Sequence, residues 1–253
     1  MFSTNSSSTK LFVKNVVIFS DKTKSNRKAD QNMLKVFRSI IMGAPGSGKG
    51  TISSRIIRDF SLPYLSVGDL LRDHMARGTE VGREAEQYIK NGKLVPDVVV
   101  NKLVINELTE SYKEKPFLMD GYPRTVAQAR ELWSREALRP NSAINLVVPD
   151  DEIIERIKHR WIHRASGRTY HLLYNPPKTA GVDDVTGEPL VQREDDKEHV
   201  VMQRLLEYKK QSEVIIDFFR EKGILENFVG RKSNEIYPKV ELYLSQRIDR
   251  TVQ

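Results

Sequence analysis

Residues 43–51, GAPGSGKGT, have the residue types and spacing of a phosphate-binding loop. They follow an apolar segment, Val36 to Met42, and precede a helix-like one. Closely spaced glycines let backbone N–H groups turn toward an anion, and Lys49 adds a charge beside the positive end of the next helix. The segment predicts a site for a nucleoside triphosphate, although such a glycine-rich run can also be an ordinary turn.

Arginines that could bind further phosphate oxygens recur along the chain. Arg72, Arg124 and Arg193 lie inside the distinctive segments SVGDLLR, DGYPRT and QREDD, whereas Arg160 and Arg204 lie in charge-rich, helix-like stretches. A guanidinium binds two oxygens at once and keeps its charge at neutral pH. Each arginine could instead form a surface ion pair, which would contribute little.

Carboxylates near these motifs suggest metal binding rather than acid–base chemistry. Asp120 ends an apolar segment, where it could order the water ligands of Mg²⁺, and Asp69 is a second candidate. Asp195 and Asp196 resemble an acid–base pair, but phosphate groups are already ionised and need no general base. We expect this pair to orient Arg160 or Arg193.

Five short apolar segments must position these residues. Helix-like stretches separate them, and this alternation predicts a parallel, doubly wound sheet with ligands beyond the carboxyl ends of its strands. The glycine-rich loop and Asp120 each follow one such strand, so they converge if the two strands are neighbours. The segments are Ser39 to Met42, Tyr64 to Ser66, Phe117 to Met119, Ala143 to Val148 and Ile224 to Phe228.

Two excursions interrupt this alternation. Residues 66–96 predict short helices broken by glycines at 78, 82 and 92, followed by a helix from Pro96 through Leu108. Residues 163–192 have a β-rich loop composition, between predicted helices at 150–161 and 197–208. A final helix, 234–247, is predicted with Ser233 as its N-cap.

Taken in order, these motifs resemble the adenylate kinase family of nucleoside monophosphate kinases from about Phe37 to about Arg247. The family loop reads G-x-P-G-x-G-K-G-T, with glycine where other P-loops carry Ser or Thr. The resemblance implies an α/β P-loop fold of three layers around a five-stranded parallel sheet. It also implies a kinase domain at 37–250, a helical monophosphate-binding clamp at 66–96 and a small β-rich lid at 163–192.

Site roles follow from the resemblance, residue by residue. Phosphoryl transfer would be assisted by Lys49, Asp120, Arg124, Arg160, Arg193 and Arg204. The donor nucleotide would contact Gly46, Ser47, Gly48, Lys49, Gly50, Thr51, Arg160, Thr169 and Tyr170. AMP would contact Val67, Arg72, Lys93, Leu94, Val95, Gly121, Arg124, Gln128, Arg193 and Arg204.

Base recognition is the least specified part of these motifs. Gln128 matches the family's reader of the AMP adenine, and an amide can pair with an adenine edge through two hydrogen bonds. Val67 departs from the usual Ser or Thr beside the acceptor base. Thr169 and Tyr170 would flank the donor base, with Arg160 stacked on it, while Arg156 remains ambiguous. None of these distinguishes guanine from adenine.

The chain contains no cysteine, which excludes disulfides and the cysteine-bound zinc that holds the lid in some relatives. His163, Ser166, Asp183 and Thr186 stand where zinc-free members carry a polar network, so we expect hydrogen bonds to close the lid. Metal binding by these four residues is the alternative, although hydroxyls are poor zinc ligands. The expected cofactor is Mg²⁺ alone.

Charge is concentrated at the N-terminus. The chain of 253 residues carries a net charge of +7, and residues 1–38 hold eight Lys or Arg against two Asp. The remainder is nearly neutral, which argues against nucleic acid as a partner. Residues 1–36 form a basic, Ser- and Lys-rich extension that could be a mitochondrial transit peptide, a disordered extension or sequence upstream of a start at Met33. No apolar run approaches the roughly 20 residues that span a bilayer.

These observations predict a monomeric enzyme that transfers the terminal phosphoryl group of a nucleoside triphosphate to AMP. Segments WIH and QREDD look most like the mitochondrial GTP:AMP branch, which implies GTP as donor and a matrix location; the cytoplasm is the alternative. An ATP-preferring adenylate kinase or a UMP/CMP kinase would differ only in the base pockets. A P-loop switch would need an N-K-x-D base reader, and the only Asn-Lys pair continues Leu103-Val104. An inactive binding relative is the third alternative.

Overall fold

The structure is a computed structural model that describes residues 36–248. The chain divides into two units, Met1–Val36 and Phe37–Gln253. The predicted basic extension at 1–36 lies outside the described residues, apart from Val36.

A five-stranded parallel sheet forms the centre of the described unit, as predicted. Its strands are β1 (Arg38–Gly43), β2 (Tyr64–Ser66), β3 (Phe117–Asp120), β4 (Ser142–Val147) and β7 (Leu225–Val229). They stand in the order β2-β3-β1-β4-β7. The order places β1 between β3 and β4, with Ile41 paired to both Asp120 and Ile144. The loop after β1 and the end of β3 therefore lie side by side.

Helices cover both faces of the sheet and enclose two apolar cores. Alternation along β1 sends Ile41 into one core and Ile40 and Met42 into the other. The first core packs α1 (Lys49–Phe60), α6 (Asp150–Lys158) and α8 (Ser233–Ser245) against the sheet. The second packs α4 (Asp97–Ser111) and α5 (Val126–Ser134). This is the three-layer arrangement that the alternation predicts.

Two short helices occupy the range predicted for the clamp, α2 (Val67–Ala76) and α3 (Glu80–Ile89). Gly78 and Gly92 have positive φ and end them, as expected. The prediction that Gly82 breaks a helix is wrong. Gly82 lies in the first turn of α3, where the His74 carbonyl approaches so closely that no Cβ could be accommodated. The absence of a side chain at Gly82 allows α2 and α3 to approach each other closely.

The helix predicted at 150–161 ends earlier, at Lys158. Residues Arg160–Ile162 instead form β5, which pairs antiparallel with β6 (Thr169–His171). Trp161 and Ile162 favour a strand, and the turn through Gly167, at φ 70°, brings β6 back to pair with them. The lid's strand pairing thus begins before residue 163.

The C-terminal helices also differ in extent from their predictions. The helix predicted at 197–208 continues as α7 over Glu198–Glu221. It contributes Val201 and Leu205 to one core and Ile215 and Phe219 to the other, which explains its length.

Ser233 is not an N-cap but the first residue of α8. The N-cap is Lys232, whose backbone N–H donates to the Glu235 side chain at 3.3 Å. Within residues 36–248, no helix combines the length and apolarity needed to cross a membrane.

Candidate active site

The loop between β1 and α1 is tightly folded. Gly48 is the N-cap of α1 at φ 92°, so the first N–H groups of the helix receive no side-chain cap and can bind an anion. A Cβ on Gly43 would lie 2.7 Å from Ser47 Oγ. That hydroxyl is buried without a hydrogen-bond partner in the described part of the chain. A buried, unpartnered hydroxyl is expected where a ligand completes the site.

Lys49 folds back over this loop. Its Nζ donates to the carbonyls of Gly43 at 2.7 Å and Ala44 at 3.0 Å. Burial lowers the pKa of Lys49 to about 8; Asp120 opposes the shift, and the arginines 124, 204 and 160 reinforce it. The predicted catalytic cations therefore lie close enough to Lys49 to act on it electrostatically. Gly50 and Thr51 are exposed beside it.

Asp120 is the last residue of β3, and Arg124 lies in the loop that follows this strand. The Tyr64 hydroxyl donates to Asp120 Oδ2 at 3.1 Å, and burial raises the pKa of this tyrosine. Arg124 donates from Nε to the Gly121 carbonyl at 2.9 Å. The loop backbone thus orients the guanidinium beside the phosphate-binding loop.

Gln128 holds the loop after β3 in place through hydrogen bonds. It is 2 % exposed, its Oε1 accepts the Arg124 backbone N–H at 2.7 Å, and its Nε2 donates to Asp97 at 2.8 Å. The amide oxygen and one N–H are therefore committed to protein groups, leaving one N–H for a base. Asp97 also accepts from Thr125 at 2.9 Å, and no sequence motif drew attention to it.

Arg160 and Arg204 are held by the carboxylates of the QREDD segment. Arg160 binds both oxygens of Asp196, with Nε at 2.8 Å from Oδ2. Arg204 Nη1 lies 3.0 Å from Asp195 Oδ2 and 3.3 Å from Asp196 Oδ1. The Asp196 side chain is only 1 % exposed. Asp196 orients Arg160, as expected, whereas Asp195 is paired with Arg204 instead of Arg160 or Arg193.

Arg193 lies instead near the clamp. Its Nη2 is 3.8 Å from Asp69 Oδ1, and Asp69 also accepts from Arg72 Nε at 3.2 Å. Burial lowers the pKa of Arg193 to about 10, reinforced by Arg72 and Arg160. Its Nε is buried with no partner in the described residues. Asp69 is thus committed to two arginines, which makes it a poor second ligand for Mg²⁺.

A cavity joins these groups. It lies between the two loops, the turn after α3 and the middle of α7, and Lys49, Arg124 and Arg204 line it. Lys93 and Leu94 contribute to its wall, but Val95 and Val67 do not: they are 6 % and 2 % exposed and pack in the second core. Sequence reasoning missed the α7 side, which supplies Glu207, Tyr208, Gln211, Ser212 and Ile215.

Comparison with known proteins identifies the family of the chain. The family model described as adenylate kinase matches residues 41–224. The chain belongs to the adenylate kinase family. It is therefore a phosphotransferase with nucleotide substrates, and kinases of this family generally use Mg²⁺.

Similar proteins in this family carry two names. A "GTP:AMP phosphotransferase, mitochondrial" of Drosophila melanogaster is 46% identical over 215 residues, covering 85% of this chain and 98% of the relative. A Saccharomyces cerevisiae protein of the same name is 42% identical over 224 residues, covering 86% and 96%. An "Adenylate kinase" of Listeria monocytogenes serotype 4a (strain HCC23) is 42% identical over 210 residues, covering 81% and 98%.

The lid of this adenylate kinase family member is closed by the predicted polar residues. His163 Nδ1 lies 2.7 Å from Ser166 Oγ, and Thr186 Oγ1 donates to Asp183 at 2.9 Å. Asp183 also accepts Nε and Nη2 of Arg168 at 2.8 and 2.6 Å. Among residues 36–248, no three His, Cys, Asp or Glu side chains are grouped to hold a metal. Hydrogen bonds therefore connect the lid's loops.

The Tyr170 side chain belongs to this network. It is 5 % exposed, and its hydroxyl donates to Asp183 at 2.9 Å and accepts the Asp184 N–H at 2.9 Å. The lid's interior thus encloses the side chain, and the expectation that Tyr170 flanks the donor base stays a prediction. Thr169, the preceding residue, is partly exposed.

Arg156, ambiguous in the sequence, lies beside the phosphate-binding loop. Its Nη1 is 3.5 Å from the position that a Gly48 Cβ would take, and its guanidinium lies over the Tyr174 ring at 5.9 Å. Arg160 is tied to Asp196 instead. The expectation that Arg160 stacks on the donor base stays a prediction, and Arg156 is a second candidate for that contact.

We expect Asp183→Asn to loosen the lid selectively. Hydrogen bonds from Arg168 hold the pKa of Asp183 well below its usual range. The ionised carboxylate therefore stabilises the lid at pH values above the ordinary Asp pKa. This stabilisation is lost as the pH falls through the lowered pKa of Asp183. At pH 7, amide exchange within 163–190 should accelerate about tenfold, since bonds to a charged group are lost. Asp184→Asn is the control, because an amide oxygen can still accept the Lys178 N–H. Equal exchange in both variants would contradict the account.

Proposed function

We propose that this protein transfers the terminal phosphoryl group of GTP to AMP, giving GDP and ADP, reversibly and with Mg²⁺. The observation that carries the proposal is that Lys49, Arg124 and Arg204 line one cavity with residues of the phosphate-binding loop. The names of two similar proteins supply the choice of GTP and AMP.

Catalysis in this proposal is positioning and charge stabilisation, because phosphoryl transfer spreads negative charge over donor, transferred group and acceptor. The loop N–H groups, Lys49 and Thr51 bind the donor phosphates. Arg72 and Arg124 bind the acceptor phosphate. Arg160, Arg193 and Arg204 bind the transferred group when the lid closes, and closure excludes water so that the donor is not hydrolysed.

The residues fit an Mg²⁺ that arrives with the nucleotide. Asp120 stands beside the loop with Oδ2 bonded to Tyr64, and the described residues contain no cluster of three acidic or His side chains that would form a protein cage. Mg²⁺ usually keeps several waters and binds substrate phosphates with one or two carboxylates. Bound in this way, the ion would neutralise phosphate charge, and Asp120 would orient its waters.

We further propose that the protein acts as a monomer in the mitochondrial matrix. Two similar proteins are named as mitochondrial. The basic extension at 1–36 would then be a transit peptide. Sequencing the N-terminus of protein isolated from the matrix tests this: a mature chain should begin downstream of the extension. A full-length cytosolic form would reject it.

Donor affinity is expected to fall as the pH rises above about 8, where the buried Lys49 ammonium loses its proton. Bound phosphates restore the charge, so binding near pH 8.5 should take up a proton, whereas binding near pH 7 takes up little at this group. Titration calorimetry with a non-hydrolysable GTP analogue, in two buffers of different ionisation enthalpy, measures the uptake. Lys49→Arg keeps its charge and should abolish this uptake. Uptake that persists in Lys49→Arg would assign it to another group.

Initial rates with AMP, Mg²⁺ and either GTP or ATP test the choice of donor. The proposal predicts a higher kcat/KM with GTP. A higher value with ATP would make the protein an ATP-preferring adenylate kinase. Transfer to UMP or CMP in preference to AMP would contradict the acceptor assignment, and no transfer would indicate a switch or an inactive relative.

A further inference from the structure

A polar cluster lies beside the phosphate-binding loop, and the proposed transfer mechanism does not use it. At Gly48, a Cβ would meet Ser233 Oγ at 2.9 Å and Arg156 Nη1 at 3.5 Å. Gly48 is the N-cap of α1, whose first N–H groups can hold phosphates, so the cluster adjoins the position of a nucleotide held by the loop.

Aromatic and cationic groups give the cluster a flat surface. The rings of His171 and Tyr174 are stacked with centroids 4.5 Å apart, and the Arg156 guanidinium lies over the Tyr174 ring at 5.9 Å. Planar groups of this kind stack on purine bases of either type. They can bind a base but cannot distinguish guanine from adenine.

Glu152 supplies a group that can distinguish them. Its side chain is 13% exposed, and its Oε1 accepts from Arg156 Nε at 3.2 Å and from the Tyr174 hydroxyl at 3.1 Å. Its Oε2 accepts no hydrogen bond within residues 36–248; Arg231 Nη1 is 3.8 Å away and donates to Asp151 instead. One carboxylate oxygen therefore has only a long ion pair, to Arg231, and keeps its capacity to accept hydrogen bonds.

An ionised carboxylate only accepts hydrogen bonds. The guanine edge presents two adjacent donors, the ring N1–H and the 2-amino group, which both suit Glu152 Oε2. Adenine presents its unprotonated N1 at the same place, and that lone pair would oppose the carboxylate. We propose that Glu152 makes this protein select GTP as donor by reading the guanine edge. The proposal rests on the proposed function, in which GTP is the donor.

Glu152→Gln tests the proposal with almost no change in shape. The amide oxygen can keep the bonds from Arg156 and Tyr174, while the amide NH₂ replaces Oε2 and now suits the adenine N1. We expect the ratio of kcat/KM for GTP to that for ATP to fall about tenfold or more, the scale of a base-edge contact. Asp151→Asn is the matched control, because Asp151 is an exposed neighbouring acid also paired with Arg231. It should change the ratio less than about twofold.

Each outcome separates this proposal from the proposed function. If the wild-type protein prefers ATP, the choice of GTP fails before any variant is considered, and Glu152 has no guanine to read. If the wild type prefers GTP and Glu152→Gln keeps the ratio, the Glu152 proposal alone is overturned. An equal loss with both donors would assign Glu152 to holding Arg156, which also overturns it. Calorimetric binding of GDP and ADP to the same variants should show the same change in preference.

Discussion

Arg124→Ala is expected to lower kcat about 10²- to 10³-fold, the scale on which single electrostatic catalytic groups act. The guanidinium is aimed by its own loop, through the bond from Nε to the Gly121 carbonyl and the bond from the Arg124 N–H to Gln128. It also acts electrostatically on Lys49 across the site. Removing it takes away the charge that the proposed function assigns to the acceptor phosphate, without emptying a core position.

The control for this variant is Arg130→Ala, an exposed arginine on the following helix. Steady-state rates with saturating GTP and AMP, together with thermal unfolding, separate catalysis from stability. Arg124→Ala should unfold within a few degrees of the wild type, since surface substitutions shift the free energy of unfolding by about 0.5 kcal/mol or less. Turnover as high as that of Arg130→Ala would contradict the assignment.

Asp196→Ala is expected to lower kcat about 10²-fold. The expected cause is that Arg160 and Arg204 lose the partner that positions them, and not that a proton transfer is lost. The carboxylate is 1 % exposed and binds Arg160 at both oxygens while also meeting Arg204. Without it, two buried guanidinium groups lose a shared partner and repel each other. Breaking a buried pair by removing one partner is typically strongly destabilising, so unfolding should be followed as well.

The pH dependence of the Asp196 variants distinguishes positioning from acid–base catalysis. Asp196→Asn keeps the shape and a single acceptor oxygen, which Arg160 and Arg204 can share at the Oδ1 position, so its kcat should lie between those of wild type and Asp196→Ala. The pH profile of kcat should keep its shape in both variants. Loss of one limb of that profile would show that Asp196 transfers a proton, contrary to the account.

The sheet and the phosphate-binding loop were predictable because their signals are local. Five short apolar segments marked the strands, and the spacing of residues 43–51 marked the loop. The convergence of this loop with Asp120 required only that β1 and β3 be neighbours, as they are. The lid network was also foreseen at His163, Ser166, Asp183 and Thr186, although by resemblance rather than by pattern.

The errors arise where tertiary contacts override local preference. Strand pairing with β6 ends the helix that was predicted to reach Trp161, and the second core extends α7 beyond Tyr208. Gly82 looked like a helix break because the approach of α2 to α3 cannot be read from neighbouring residues.

Side-chain partners were less predictable still. Tyr170 is bonded within the lid, and Gln128 is bonded to its own loop. The position of Arg156 beside Gly48 depends on packing between segments far apart in the chain. No spacing rule contains that information.

The most direct test of the central claim follows the labelled phosphoryl group itself. Purified protein is incubated with AMP, Mg²⁺ and GTP carrying ³²P in its terminal phosphate, and the products are separated by anion-exchange chromatography. The account predicts that the label appears in ADP, in equal amount to the GDP formed, with little in inorganic phosphate. Label released as inorganic phosphate, or left in GTP while nucleotide remains bound, would contradict a phosphotransferase between GTP and AMP.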